Sequence, residues 1–327
     1  MTITLDSLAM LLLCSHLGLS NDPDLSPLKL REWNPLARKL AASAIARPGG
    51  MLGMTATDLQ QALELTESEA ERLARLLMRS GGLAIELERL AGLGIHPLTR
   101  ADADYPLRYR DRLKESAPAV LFYAGSKDLL GQPGLAVVGS RHLDDAGQIC
   151  AEFVGNACGL SGMVLYSGGA RGVDTISMKA SLESRGFAVG IVADSLEKSI
   201  RIPEYRSALS RGDACLATPY HPSAGFRVGA AMGRNRLIYT LADHAIVVAS
   251  DAEQGGTWAG ATEALKAQWL PVFVLDHPNM PKGNRALLEK GANPLPYPLP
   301  VQPVQLKAWL DEHVLPNNPK VSQPRLF

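Results

Sequence analysis

Apolar residues recur at helical spacing through the first ninety or so positions, and then the pattern changes. After Thr66-Glu67-Ser68-Glu69, the residues Ala70, Leu73, Leu76 and Leu77 fall on one stripe of a helix opened by a capping sequence. Gly81-Gly82 is expected to close that helix, with Leu83, Leu87 and Leu90 beginning another amphipathic stretch. Asn21–Pro27 and the turn Pro48-Gly49-Gly50 break the region into short pieces. A small all-helical domain is therefore predicted over residues 1–97. The apolar run Leu8–Leu13 is short, follows Asp6 and lacks a basic leader, so it reads as a first helix rather than a signal peptide.

From about Leu98, short apolar runs alternate with glycine-rich turns and helical segments. The runs are Leu135–Val138, Met163–Tyr166, Ala188–Val192, Ala214–Ala217, Ala245–Ala249 and Pro271–Leu275, with helix-like stretches at Ala146–Cys158, Thr175–Ser184 and Trp258–Gln268. Strands without strict alternation are buried on both faces, which predicts an α/β fold with a mostly parallel sheet flanked by helices over residues 98–300. Ligands in such sheets bind beyond the carboxyl ends of the strands. Residues 301–327 read as the end of a proline-rich strap begun at Pro294, a short helix over Leu306–Val314 and a flexible tail.

Composition narrows the functional classes. The chain has 327 residues, 46% hydrophobic and 20% charged, which is a globular rather than a disordered profile. With 33 basic and 33 acidic side chains, any nucleic-acid site must be a local cluster of cations on a neutral body. Cys14, Cys150, Cys158 and Cys215 form no Cys-x-x-Cys pair, so neither a disulfide framework nor structural zinc is expected, and a cytoplasmic location fits. No apolar run is long enough to cross a bilayer.

The unusual residues lie in the loops that follow the strands. Val138-Gly139-Ser140-Arg141 ends the first run and offers a close backbone approach, a hydroxyl and a guanidinium fork. Ser167-Gly168-Gly169-Ala170-Arg171-Gly172-Val173-Asp174 ends the second. It either presents backbone N–H groups to an anion at a helix N-terminus, or makes a tight turn that Asp174 caps. Arg234-Asn235-Arg236 reads as a phosphate-binding loop or helix start, or as a pair of structural salt bridges. Gln254-Gly255-Gly256-Thr257 again leads into a helix, with Thr257 as cap or phosphate donor. There is no phosphate-loop lysine motif, no His-Glu-x-x-His and no nucleophile elbow, so no catalytic residue, metal site or cofactor is predicted. His244, opening an apolar run, reads as structural, and Cys150 and Cys158 as small core residues.

Taken in order, Gly139-Ser140-Arg141, Ser167 to Asp174, Arg234-Asn235-Arg236 and Gly255-Gly256-Thr257 resemble the successive signatures of the DprA/Smf family of DNA-processing proteins. Asp104-Tyr105-Pro106, Pro118 to Phe122, Gly283-Asn284 and Gly291-Ala292 agree with it, and the resemblance covers about two-thirds of the chain. It implies a Rossmann-like domain that binds single-stranded DNA without cleaving it, supports loading of the recombinase RecA and forms homodimers. By that resemblance Ser140, Arg141, Ser167, Gly168, Gly169, Arg171, Arg234, Asn235, Arg236, Gly255, Gly256 and Thr257 contact DNA or its phosphates. Trp258 is a candidate stacking platform or a core residue.

The chain departs from the family in places. Where relatives carry Tyr-Pro-x-x-Asn after the third strand, it has Ile202-Pro203-Glu204-Tyr205-Arg206, and Lys198, Arg201 and Arg206 make that loop basic. Thr218–Met232 is longer than the resemblance leads one to expect, and no C-terminal winged-helix domain is expected. The terminal Gln323-Pro324-Arg325-Leu326-Phe327 resembles a sliding-clamp docking peptide, with Gln323, Leu326 and Phe327 as anchors, or else is an arbitrary tail. Two rival readings stand beside DNA binding. One is a sensor or phosphoribohydrolase-like enzyme for a small nucleotide, although Glu263 lies too far behind Thr257 for that catalytic loop. The other is an adaptor whose helical part recruits a nuclease or helicase.

Overall fold

A computed structural model describes residues 3–19 and 25–316, which form two compact units. The first comprises residues up to 105 together with 113–123 and 219–222. Its helices are α1 (Leu5–Cys14), α2 (Leu30–Ala42), α3 (Ala56–Leu63), α4 (Glu67–Leu77) and α5 (Ser80–Gly92). Capping boxes from Thr55 to Asp58 and from Thr66 to Glu69 open α3 and α4, each satisfying backbone donors that a helix start leaves unpaired. Ala9 to Leu13 of α1 are almost wholly enclosed and form the middle of this unit's core. Arg79 reaches the carbonyls of Leu17 and Leu12 and so satisfies acceptors at the end of α1. The expected stop at Gly81-Gly82 is corrected: α4 ends at Leu77, and both glycines lie in the first turn of α5. Gly82 has a different use there, since a side chain on it would press on the backbone of Gly18. Beyond the helices, β1 (Ile95–Thr99) lies beside β2 (Val120–Gly125).

The second unit carries the α/β architecture. Most of α6 (Leu107–Leu113) belongs to it, followed by β3 (Gly134–Val138), α7 (Asp145–Ser161), β4 (Val164–Ser167), α8 (Val173–Glu183) and β5 (Phe187–Ile191). Next come α9 (Leu196–Ser199), α10 (Pro203–Arg211), β6 (Ala214–Thr218), α11 (Val228–Leu241), β7 (His244–Val247) and α12 (Gly255–Ala267). The chain finishes with β8 (Val272–Asp276), α13 (Lys282–Glu289), β9 (Asn293–Pro296) and α14 (Leu306–Glu312). Strands run in the order β6-β5-β4-β3-β7-β8-β9, and every pairing among them is parallel. The central strands are apolar on both faces because helices cover both, and this is why their sequences do not alternate.

All six apolar runs became strands, and three strands, β1, β2 and β9, lay outside those runs. Asn293–Pro296 pairs with β8, and its prolines are tolerated because β9 ends this strand order. Below β7, Asp243 accepts from Arg108 at 2.6 Å and from the Gly134 N–H at 2.9 Å, while Arg112 donates to the carbonyls of Thr240 and Ala242. These contacts fix the end of α11 and the start of β3. Successive connections run one way from β3 through β6 and the other way from β7 through β9. The adjacent ends of β3 and β7 are therefore a topological switch point, where the flanking loops part and leave a crevice.

No helix among the described residues is long and apolar enough to cross a membrane. The tail residues Gln323, Leu326 and Phe327 lie outside the described residues.

Candidate functional site

Three loops meet at the carboxyl ends of β3, β4 and β7. The Ser140 N–H donates to the carbonyl of Ala249 at 2.8 Å, and the Ser140 carbonyl accepts from Val173 at 3.4 Å. This backbone contact requires Gly172, the N-cap of α8, which has a φ of +84°. A Cβ on it would stand 2.7 Å from the Arg141 Cα and overlap the Ser140 carbonyl. Gly172→Ala is therefore expected to lower stability by at least about 1 kcal/mol, a fall of roughly 2–4 °C or more in calorimetry. An unchanged melting temperature would show that the loops do not need this approach.

Beneath the loops two opposite charges, Arg234 and Asp174, are buried close enough to influence each other. Arg234 is 6% exposed and donates from Nη1 to the carbonyl of Ile191, the last residue of β5, at 2.6 Å. Asp174 is equally enclosed and accepts from the Ala170 N–H at 3.3 Å. Burial pushes the Asp174 carboxyl up from its ordinary range; Arg234 and the backbone N–H groups of Ala170 and Gly168 pull the other way. Gly168 lies directly against the guanidinium, and any side chain there would overlap it. The β4 turn is thus built around Arg234, and Asp174 serves it as counter-charge.

This arrangement corrects two expectations. Arg234-Asn235-Arg236 is neither a loop nor a helix start but lies well inside α11. Arg234 and Asn235 turn inward, whereas Arg236 is half-exposed and pairs with Glu263 of α12 at 3.5 Å. The sequence concealed the helix because Gly229 and Gly233 weaken helix propensity, and packing overrides them. Ser167 is also fully enclosed and donates its hydroxyl to the carbonyl of Val137 at 2.7 Å, so it has no free face for a phosphate.

A cavity of about 470 Å³ opens at the switch point. Ser140, Arg141, Arg234, Asn235, Gly255, Gly256 and Thr257 of the predicted residues line it, whereas Ser167, Gly168, Gly169, Arg171 and Arg236 do not. Arg171 is exposed on the β4 loop. Lys198, Arg201 and Arg206 are exposed on α9, α10 and the turn between them, away from the lining. Trp258 is half-buried on α12, beside the ammonium of Lys290, which sits 5.8 Å from the ring centre. Tyr205, in the divergent element, is buried with its hydroxyl 3.8 Å from Met178 Sδ.

Sequence reasoning missed the aromatic residue at the mouth. Phe226 is 49% exposed, lines the cavity and lies under the Arg141 guanidinium, 5.6 Å from the ring centre. Val228 and Met232 extend this apolar rim. The signal was the unexpected length of Thr218–Met232, whose aromatic residue had no helical or strand role to fill.

Comparison with known proteins places the chain among relatives. The family model described as DNA recombination-mediator protein A matches residues 96–298. DNA processing protein DprA of Streptococcus pneumoniae is 30% identical over 183 residues, 54% of this chain and 63% of that protein. Protein Smf of Synechocystis is 27% identical over 48% of this chain and 40% of its own length. The chain thus matches less than two-thirds of either relative. Among solved structures, the S. pneumoniae DNA processing protein A superimposes with a TM-score of 0.64 at 22% identity, covering 90% of this chain and 95% of that one. DNA processing protein A from Helicobacter pylori, described for its single-stranded DNA binding mode, gives 0.52 at 26% identity, covering 62% of this chain and 90% of that one.

Proposed function

Because the chain belongs to the DNA recombination-mediator protein A family, we propose that its α/β unit binds single-stranded DNA across the mouth of the switch-point cavity. One observation carries the reading: an exposed guanidinium and an exposed aromatic ring, Arg141 and Phe226, stand together at the rim of a crevice that helices and strand ends hold open. Guanidinium for phosphate and ring for base is the combination by which proteins grip single strands with little regard to sequence. Arg171, exposed on the neighbouring loop, adds a second phosphate contact, and Thr257 at the start of α12 a third. Arg234 acts through the loops it supports rather than by touching DNA.

The function assigned is binding without catalysis, in the cytoplasm, within DNA processing or recombination. Partners proposed with it are a RecA-type recombinase, a second copy of the chain and, through Gln323, Leu326 and Phe327, a sliding clamp. A nucleotide-hydrolysing reading draws little support, since Glu263 is outside the cavity lining and paired with Arg236.

The test is fluorescence anisotropy of a labelled single strand, with duplex as competitor, across salt concentrations. The strand is expected to win, with a log–log salt slope of about −2 to −4 for roughly three to five phosphate contacts. Arg141→Ala is expected to weaken binding and flatten that slope by about 0.7. No binding at low salt would sink the proposal and direct attention to small nucleotides, for which the cavity is large enough.

A further inference from the structure

The turn that carries Arg141 is short and fixed at both ends. Its start is held where the Ser140 N–H donates to Ala249 and the Ser140 carbonyl accepts from Val173. Its end is Asp144, the N-cap of α7, whose Oδ1 accepts from the Gly147 N–H at 2.8 Å. Only Arg141, His142 and Leu143 lie between, outside any helix or strand, and a link this short leaves little play. Whatever fixes Asp144 therefore also fixes where Arg141 stands.

The second oxygen of Asp144 has a partner that capping does not explain. Its Oδ2 stands 3.5 Å from Nε2 of His277. His277 directly follows β8 and is 7% exposed. Tyr297 of the proline-rich strap meets its ring edge-on, with centroids 6.0 Å apart, and the Met280 N–H donates to its carbonyl at 3.0 Å. The strap is tied to the preceding residue as well, because the Asp276 carbonyl accepts from the Tyr297 N–H at 3.0 Å. Asp144 is thus the charged group paired with the ring, Tyr297 the other titratable side chain against it, and Asp276 its neighbour in the chain. Neither Asp144 nor His277 lines the switch-point cavity.

At 3.5 Å a neutral imidazole gives only a weak hydrogen bond, whereas an imidazolium attracts the carboxylate by charge. Imidazole changes charge between about pH 5 and 8, a range in which ordinary carboxylates stay ionised. We propose that His277 is a positioning residue for single-strand binding: when protonated, it holds Asp144 and with it the Arg141 turn in place for phosphate. This rests on the single-strand reading above and adds to it a control by pH. The pair acts only through the turn, and its sign is fixed. Affinity rises as pH falls through the imidazole range, because the paired form then predominates.

Single-strand anisotropy with the full chain, at constant ionic strength and at about pH 6 and pH 8, tests it. A parent carrying His142→Gln removes the exposed imidazole beside Arg141 as a second source of pH response. That parent is expected to bind about two- to fivefold tighter at the lower pH, the span of a half-exposed ion pair. Adding Asp144→Asn keeps the cap and removes the charge, so the melting temperature should hold while that response disappears. Adding His277→Gln should abolish it too, and the two together should cost no more than either alone. A pH response equal to the parent's in both variants overturns the inference and leaves single-strand binding standing. So does additive loss in the combined variant, which would show that the two residues act separately. Absence of binding by the wild-type protein at both pH values removes the single-strand reading itself, and the inference with it.

Discussion

Replacing Arg234 with alanine is expected to destabilise the α/β unit by about 3–5 kcal/mol, the cost of leaving a buried charge without the opposite charge that offsets its burial. For a unit of this size that corresponds to a melting temperature lower by roughly 6–20 °C. The reason is what remains behind. Asp174, 6% exposed, would keep its Ala170 donor but lose the guanidinium that opposes its burial, and the Ile191 carbonyl would lose the Nη1 donor at 2.6 Å.

The sign of the pH dependence follows from the Asp174 carboxyl. Burial already raises its pKa in the folded protein, with Arg234 opposing. A carboxyl whose folded pKa lies above its unfolded value holds its proton more tightly when folded. It therefore weakens the fold above the folded pKa, and the penalty fades as pH falls through that value toward the unfolded one. Without Arg234 the carboxyl rises further, so the variant's deficit should shrink on acidification and be largest near neutrality. Adding Asp174→Asn to Arg234→Ala should recover part of the loss, because the unpaired charge is gone. Differential scanning calorimetry at several pH values decides the matter. A deficit that is small, or that grows as pH falls, would mean the pair does not compensate a buried charge.

The second large effect is expected at the cavity mouth. Phe226→Ala should weaken single-strand binding by about 5- to 150-fold, the range spanned by roughly 1–3 kcal/mol for one stacked base. Phe226→Tyr should retain most of the affinity, since it keeps the ring face. The salt slope should not move, because no phosphate contact is lost, in contrast to Arg141→Ala. Melting temperature should also hold, as the ring is half open to solvent. Wild-type affinity in Phe226→Ala would refute stacking at this position and return Trp258, half-buried on α12, to consideration.

The class of the fold was legible in the sequence because its determinants are local. Double-sided burial leaves unbroken apolar runs, and a chain reversing direction between strand and helix leaves glycines, so β3 to β8 and the turns behind them appeared in the one-dimensional pattern. Capping chemistry was equally local, and Thr66 and Glu69 open α4 as their spacing predicts. The order of glycine and arginine signatures also carried the family.

Tertiary structure alone decided which polar residues remain available to a ligand. Arg234 and Arg236 stand two places apart in sequence, yet one is sealed against Asp174 and β5 and the other faces Glu263. Ser167 and Ser140 both sit at strand ends in the sequence pattern, yet one hydroxyl is buried against the Val137 carbonyl while the other residue lines the cavity. Phe226 gains a role only because its segment brings it under Arg141, more than eighty positions earlier in the chain. Sequence periodicity reports the face a residue occupies on its own element. Whether that face meets solvent, a cavity or a counter-charge depends on elements far away along the chain, and only packing brings those together.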